Sequence, residues 1–168
     1  MEVLLSVFVL EIGLVATVSL MASSISHSAD SRNQIIAAQL TQEGIELINN
    51  IRDNNWASGK TAFDPPFPAN SLACTVNYDY DYTTGSGINC SSPDLKLYYK
   101  DSFYVHDSSG SVATRFQRKI TIADDSDGNK RITSMVIWGN STFPAIGSCN
   151  TGAKCTYSEM VLSSTNYH

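Results

Sequence analysis

Glu2 and Glu11 are the only Asp, Glu, Lys or Arg residues before Asp30, and they stand in a run otherwise built of Val, Leu, Ile, Phe, Ala and small polar residues. An ionised carboxylate in hydrocarbon is unfavourable by several kcal/mol, so each needs a cation, a hydrogen-bond donor or a proton. Glu2 has a further option, hydration at a membrane surface. Glu11 lies mid-run and has three: a Lys or Arg of another subunit, a Ser or Thr hydroxyl, or protonation. It then serves either as a packing and registry device or as a tolerated neutral side chain. The chemistry open to both residues is charge pairing.

Elsewhere reactive groups are sparse. His27, His106 and His168 are the only histidines. His106 beside Asp107 could be drawn into a nominal Ser-His-Asp arrangement, but no nucleophile elbow accompanies it, and Asp107-Ser108-Ser109-Gly110 reads as turn chemistry. No Gly-rich phosphate loop is present, so no enzymatic activity and no cofactor is expected. Asp124, Asp125, Asp127 and Gly128 invite a calcium reading. With Gly128 at the sixth place of an EF-hand loop, however, Ala123 falls at the first ligand position and Ser134 where the bidentate Glu belongs. A hairpin turn fits better. Asn89-Cys90-Ser91 and Asn140-Ser141-Thr142 match the glycosylation acceptor pattern, which short sequences often meet by chance. The run Tyr78-Asp79-Tyr80-Asp81-Tyr82, with Tyr98, Tyr99 and Tyr104, reads as cross-strand pairs and core edges rather than as a binding face.

Cys74, Cys90, Cys149 and Cys155 all follow the apolar run. An even number beyond a membrane segment, with no CxxC, points to two disulfides in an oxidising compartment rather than to zinc. Of the three possible connectivities, Cys74 with Cys90 and Cys149 with Cys155 are expected, because each closes a loop rich in Gly, Ser and Asn.

The element that positions the carboxylates is the leading stretch itself. From Val3 to Ala22, at about 1.5 Å per residue, it reaches roughly 30 Å, the thickness of a bilayer's hydrocarbon core. A cleaved secretory signal would open with a positive segment, yet no Lys or Arg precedes Arg32. Neither Gly nor Pro interrupts Ser23 to Arg32, so the helix should continue. Placed at about 100° per residue, Ile36, Ala37, Leu40, Gly44, Leu47, Ile48 and Ile51 form a stripe that a sheet should cover. Gly44 would let a strand approach closely. Ile35 and Ile45 point away from that stripe and either bury against neighbouring subunits or stand as scattered exposed residues. The helix should end near Asn54 or Asn55.

Gly59, Pro65, Pro66 and Pro68 mark an irregular crossing. Five strands should follow: 74–82, 95–105, 112–122, 131–138 and 157–162. Turns at 108–110 and 125–129 would join the middle three as an antiparallel meander. Alternation places Leu95, Leu97, Tyr99, Phe103 and Val105 on the helix-facing side, with Phe116, Ile120, Ile122, Ile132, Val136 and Trp138. Arg115, Gln117, Lys119 and Thr121 would face outward, and 139–157 would be a pinned surface loop. The fold class is therefore α+β: a membrane-length half-helix over 1–24, an amphipathic half over 25–55, and an antiparallel head over 56–168. In a chain of 168 residues with 42% hydrophobic content, one modest core is expected. The net charge of -5, without a Lys/Arg cluster, argues against a broad nucleic-acid surface.

Glu2-Val-Leu-Leu-Ser-Val-Phe-Val-Leu, followed by a Gly and further Leu, Val and Ala, resembles the start of a mature type IV pilin. The segment from Gln42 to Trp56 resembles pilin-like proteins of small-genome episymbiotic bacteria. Members usually carry an aromatic first residue, Glu at the fifth position and a Pro in the span. Here Glu is second, which leads us to expect that the leader and the first mature residues lie outside this sequence, and Gly13 is the nearest site of helix loosening. The resemblance implies a pilin fold and a subunit that is single-pass in the cytoplasmic membrane before assembly and extracellular in a pilus afterwards. Glu2 would face a neighbour's N-terminal amine, and Glu11, Ile35 and Ile45 would join the subunit contacts. Implied partners are its own copies, other pilins, an inner-membrane platform, extension and retraction ATPases acting indirectly, and a host or cell surface. The roles implied are adhesion, twitching motility or DNA uptake. A secretion pseudopilin and a monomeric tethered binding domain are the alternatives.

Overall fold

The computed structural model describes residues 2–65, 67–79, 81, 87–139, 142–149 and 153–165. Its elements are α1 (Glu2–Ala57), β1 (Ser71–Val76), β2 (Ile88–Asn89), β3 (Lys96–Lys100), β4 (Phe103–Val105), β5 (Val112–Asp124), β6 (Lys130–Trp138) and β7 (Cys155–Leu162). This is one long N-terminal helix with an antiparallel sheet, an α+β fold. The chain divides into two units, Met1–Ile35 and Ile36–His168.

In the first unit every described residue from Glu2 to Arg32 is exposed. Ser6 Oγ donates to the Glu2 carbonyl at 2.8 Å, and Thr17 Oγ1 to that of Leu14 at 2.8 Å. These hydroxyls are satisfied by their own helix, which suits them to surroundings without water.

The second unit is organised around β5. One edge of β5 carries β6 along its full register from Phe116↔Trp138 to Asp124↔Lys130, and β7 follows β6. The other edge is shared: β3 pairs with the first half of β5 and β1 with the second. Alternate residues Phe116, Arg118, Ile120 and Ile122 are buried on the helix-facing side. Ala37 and Leu40 of α1 pack with Leu97, Phe116, Val136 and Trp138. Ile45, Ile48 and Ile51 pack with Ile120, Ile122, Ile132, Val76 and Leu162. β6 is buried on both sides, because Met135 and Ile137 on its other face meet Phe143, Cys149 and Ala153. The expected surface loop after Gly139 thus covers a second, smaller core.

Several expectations require correction. The buried stripe of α1 runs through Ala37, Leu40, Thr41, Gly44, Ile45, Ile48, Ile51 and Asn55, with Ile36 and Leu47 only at its margin. Its centre is rotated by about 40° from the purely apolar arc. Ile45, expected to point away, is 5% exposed and part of the core. The rotation is possible because the polar members are satisfied: Thr41 Oγ1 donates to the Ala37 carbonyl at 2.6 Å, and Asn55 Nδ2 to those of Ala62 and Asp64 at 3.2 and 2.7 Å. Helix α1 ends at Ala57, and β1 ends at Val76 rather than running to residue 82.

The expected strand 95–105 is instead the β3–β4 hairpin. Its two-residue turn, Asp101-Ser102, has φ of 49° and 74°, the twist that a tight hairpin needs. Tyr99 therefore pairs with Tyr104 and Lys100 with Phe103, which places Phe103 and Val105 on the opposite side from Leu97. Since β3 and not β4 pairs with β5, the segment 106–111 is not a hairpin turn, and the middle strands are not a simple meander. The turn at 125–129 does join β5 to β6, with Asp125 N–H donating to the Asn129 carbonyl.

Candidate functional site

Among the described residues the largest uncovered apolar surface is the leading part of α1. Leu4 is 75% exposed, Phe8 62%, Leu14 60% and Leu20 71%, and no described residue covers them. Helix α1 is the one helix among the described residues long and apolar enough to cross a membrane. Glu2 and Glu11 are exposed on it, and among the described residues neither forms an ion pair. Ile35 is 62% exposed, whereas Ile45 is not available at the surface. Of the four residues expected in subunit contacts, Glu2, Glu11 and Ile35 are accessible.

The second half of α1, packed on the sheet through its apolar residues, also meets a buried side chain that sequence reasoning passed over. Arg118 is fully buried. Its Nη1 donates to the Leu40 carbonyl at 3.3 Å and meets Glu43 Oε1 at 3.1 Å, while Nη2 donates to the Val76 carbonyl at 2.8 Å. One guanidinium thus ties α1, β5 and β1 together, the multi-point recognition to which its planar fork is suited. Burial lowers its pKa, opposed by the charge of Glu43 and the hydrogen bond to it. Space for it exists because Gly44 has no side chain: a Cβ there would lie 2.5 Å from Ser134 Oγ and 3.2 Å from Arg118 Cδ. Its position between Phe116 and Ile120 in an alternating strand was the available signal.

Beside this cluster lies His106. Its backbone N–H donates to Asn77 Oδ1 at 2.8 Å, and its ring Nδ1 lies 3.0 and 3.1 Å from the Asp94 and Lys96 carbonyls. Burial first, then the charge of Arg118, pushes its pKa down to about 3, against the opposing pull of the two carbonyls and Asp94. Asp107 turns the other way, accepting from Ser109 N–H at 2.9 Å and pairing with Lys100 at 3.3 Å. His106 and Asp107 are therefore neighbours in sequence that serve different clusters.

Disulfides join Cys74 to Cys90 and Cys149 to Cys155. The first ties β1 to the residue after β2, and the second pins the loop that covers β6. The acidic turn is engaged by cations of β6: Asp124 meets Lys130 at 2.6 Å and Asp125 meets Arg131 at 3.1 Å. Among the described residues no cluster has the composition to hold a metal ion. Asn89 folds its amide onto the local backbone, accepting from Ser91 and Ser92 N–H. Asn140 and Ser141 of the second sequon lie outside the described residues. So do Tyr80 and Tyr82. Tyr78 stacks on Phe103 at 4.3 Å, Tyr99 meets Tyr104 edge-on, and Tyr98 donates to Asp94. Compared with protein-family models, curated proteins and solved structures, the chain matches none.

Proposed function

We propose that this chain is a structural subunit of a type IV pilin-like filament, anchored in a membrane by the first part of α1 before assembly and held by the same surface to its own copies afterwards. The observation that supports this reading is the uninterrupted exposure of apolar side chains from Val3 to Met21. At about 1.5–3 kcal/mol per side chain, covering that run is worth on the order of 20 kcal/mol or more before ordering entropy. Water alone is therefore not its environment. Between lipid and neighbouring helices the hydrophobic term nearly cancels, so packing and polar pairing decide the exchange. The carboxylate of Glu2, which forms no ion pair among the described residues, supplies a polar term, since a neighbour's N-terminal amine would relieve it. Adhesion, motility or DNA uptake would be roles of such a filament, and cytoplasmic ATPases its motor.

Surface fibres sheared from producing cells and identified by mass spectrometry test the reading, with this chain expected as a component. Glu2→Ala should lower incorporation while the head keeps its fold, and normal fibre yield from that variant counts against the charge role. Short periplasmic assemblies in place of surface fibres would make it a pseudopilin. A chain found only as a single membrane-embedded molecule would be a tethered domain and would overturn the proposal.

A further inference from the structure

Three side chains from three strand ends converge where β1, β5 and β6 begin or finish. Lys130 Nζ lies 2.6 Å from Asn70 Oδ1 and 2.6 Å from Asp124 Oδ1. Asn70 Nδ2 donates to the other oxygen, Asp124 Oδ2. One carboxylate thus bridges an amine and a carboxamide that already touch each other. Since a C=O bond is about 1.23 Å long, Nζ stands no more than about 3.8 Å from Asn70 Cγ, so a small side-chain rotation would bring it to the roughly 3–3.5 Å at which reacting atoms meet. The Lys130 side chain is 17% exposed while that of Asp124 is 69% exposed, and the ring of Phe63 sits 5.9 Å from Nζ.

From this arrangement we infer that Lys130 and Asn70 form an intramolecular isopeptide bond, with Asp124 as the proton carrier. The Lys130 amine lone pair adds to Asn70 Cγ while Asp124 takes an amine proton. Asp124 then returns a proton to Nδ2, the Cγ–Nδ2 bond breaks, and ammonia leaves. One C–N bond forms, one breaks, one ammonia is released, and no oxidant or reductant takes part. The product would tie the residue before β1 to the first residue of β6 across β5, joining positions 60 apart in the chain. The hydrogen bond from Lys130, then that from Asn70, keeps the Asp124 carboxyl below the usual carboxylate range. Asp124 is therefore held as the carboxylate that can take up the amine proton, and attack needs an uncharged amine, which alkaline pH favours for any lysine. The Arg131–Asp125 pair is the other charge pair of this turn.

Intact mass of the full-length chain in detergent, unreduced and held at neutral or alkaline pH, tests the inference. Relative to the two-disulfide mass calculated from the sequence, a deficit of about 17 Da is expected from loss of ammonia to the lysine nucleophile. Digestion should release a branched peptide containing both residue 70 and residue 130. Lys130→Arg keeps the cation but has no attacking amine, and should retain the full mass. Full mass in the unaltered chain after prolonged alkaline incubation would overturn the inference. So would a deficit that persists in Lys130→Arg, which would mean cyclisation of Asn70 on its own backbone. If that variant fails to fold, the branched peptide from the unaltered chain decides alone.

Discussion

Acid should weaken the head through His106 before it reaches Asp64, Asp107 or Asp124. Both oxygens near Nδ1 are carbonyl acceptors, so Nδ1 carries the proton and Nε2 is left as a buried lone pair without a partner among the described residues. A second proton would have to enter at Nε2, out of water and under the influence of the Arg118 guanidinium, which is why the folded pKa lies near 3. The unfolded chain protonates at about 6.5. Between these values the unfolded state binds a proton that the folded state refuses, so stability is full above pH about 6.5 and falls as pH drops towards 3. At about 1.36 kcal/mol per unit, lowering the pH from 7 to 4.5 removes about 2–3 kcal/mol. Asp64, Asp107 and Asp124, held low chiefly by the Thr61 N–H, the Ser109 N–H and Lys130 respectively, lose their contributions only at more acid pH. Urea titrations in detergent, followed by the fluorescence of buried Trp138, would measure the change at the two pH values. His106→Asn, whose Nδ2 takes the place of the ring Nδ1 and can still donate to the Asp94 and Lys96 carbonyls, should flatten the pH dependence. An equal slope in that variant, or no slope in the unaltered chain, would refute the assignment.

Gly44→Ala should destabilise the head by about 1–3 kcal/mol through overpacking against Ser134 and Arg118, although helix propensity alone favours Ala by about 1 kcal/mol. Thermal melts by circular dichroism decide the sign, and stabilisation would mean that Ser134 yields freely. Ile45→Ala should lose about 2–4 kcal/mol as a core cavity, whereas Ile35→Ala should change head stability by less than about 0.5 kcal/mol. Any drop in fibre yield from Ile35→Ala would then report on assembly rather than on folding.

The apolar run, its length and the absence of a break before Asn54 were legible in the residues themselves, because helix propensity and span are properties of contiguous chain. So were the α+β class and most strand positions in the second half, where alternation is a local pattern. The turn at Asp101-Ser102 was not legible, because Asp-Ser carries no strong signal for positive φ and the flanking residues alternate without a visible gap. The helix face was misjudged for a related reason: counting only apolar positions omitted Thr41 and Asn55, whose hydrogen bonds make them as buried as their neighbours. Arg118, His106 and the Lys130–Asn70–Asp124 contact belong wholly to tertiary structure. Whether a charged or polar group is buried, and what it meets, depends on atoms contributed by segments far away in the chain. Local periodicity records which way a side chain points, but not which carbonyl or carboxylate waits for it there.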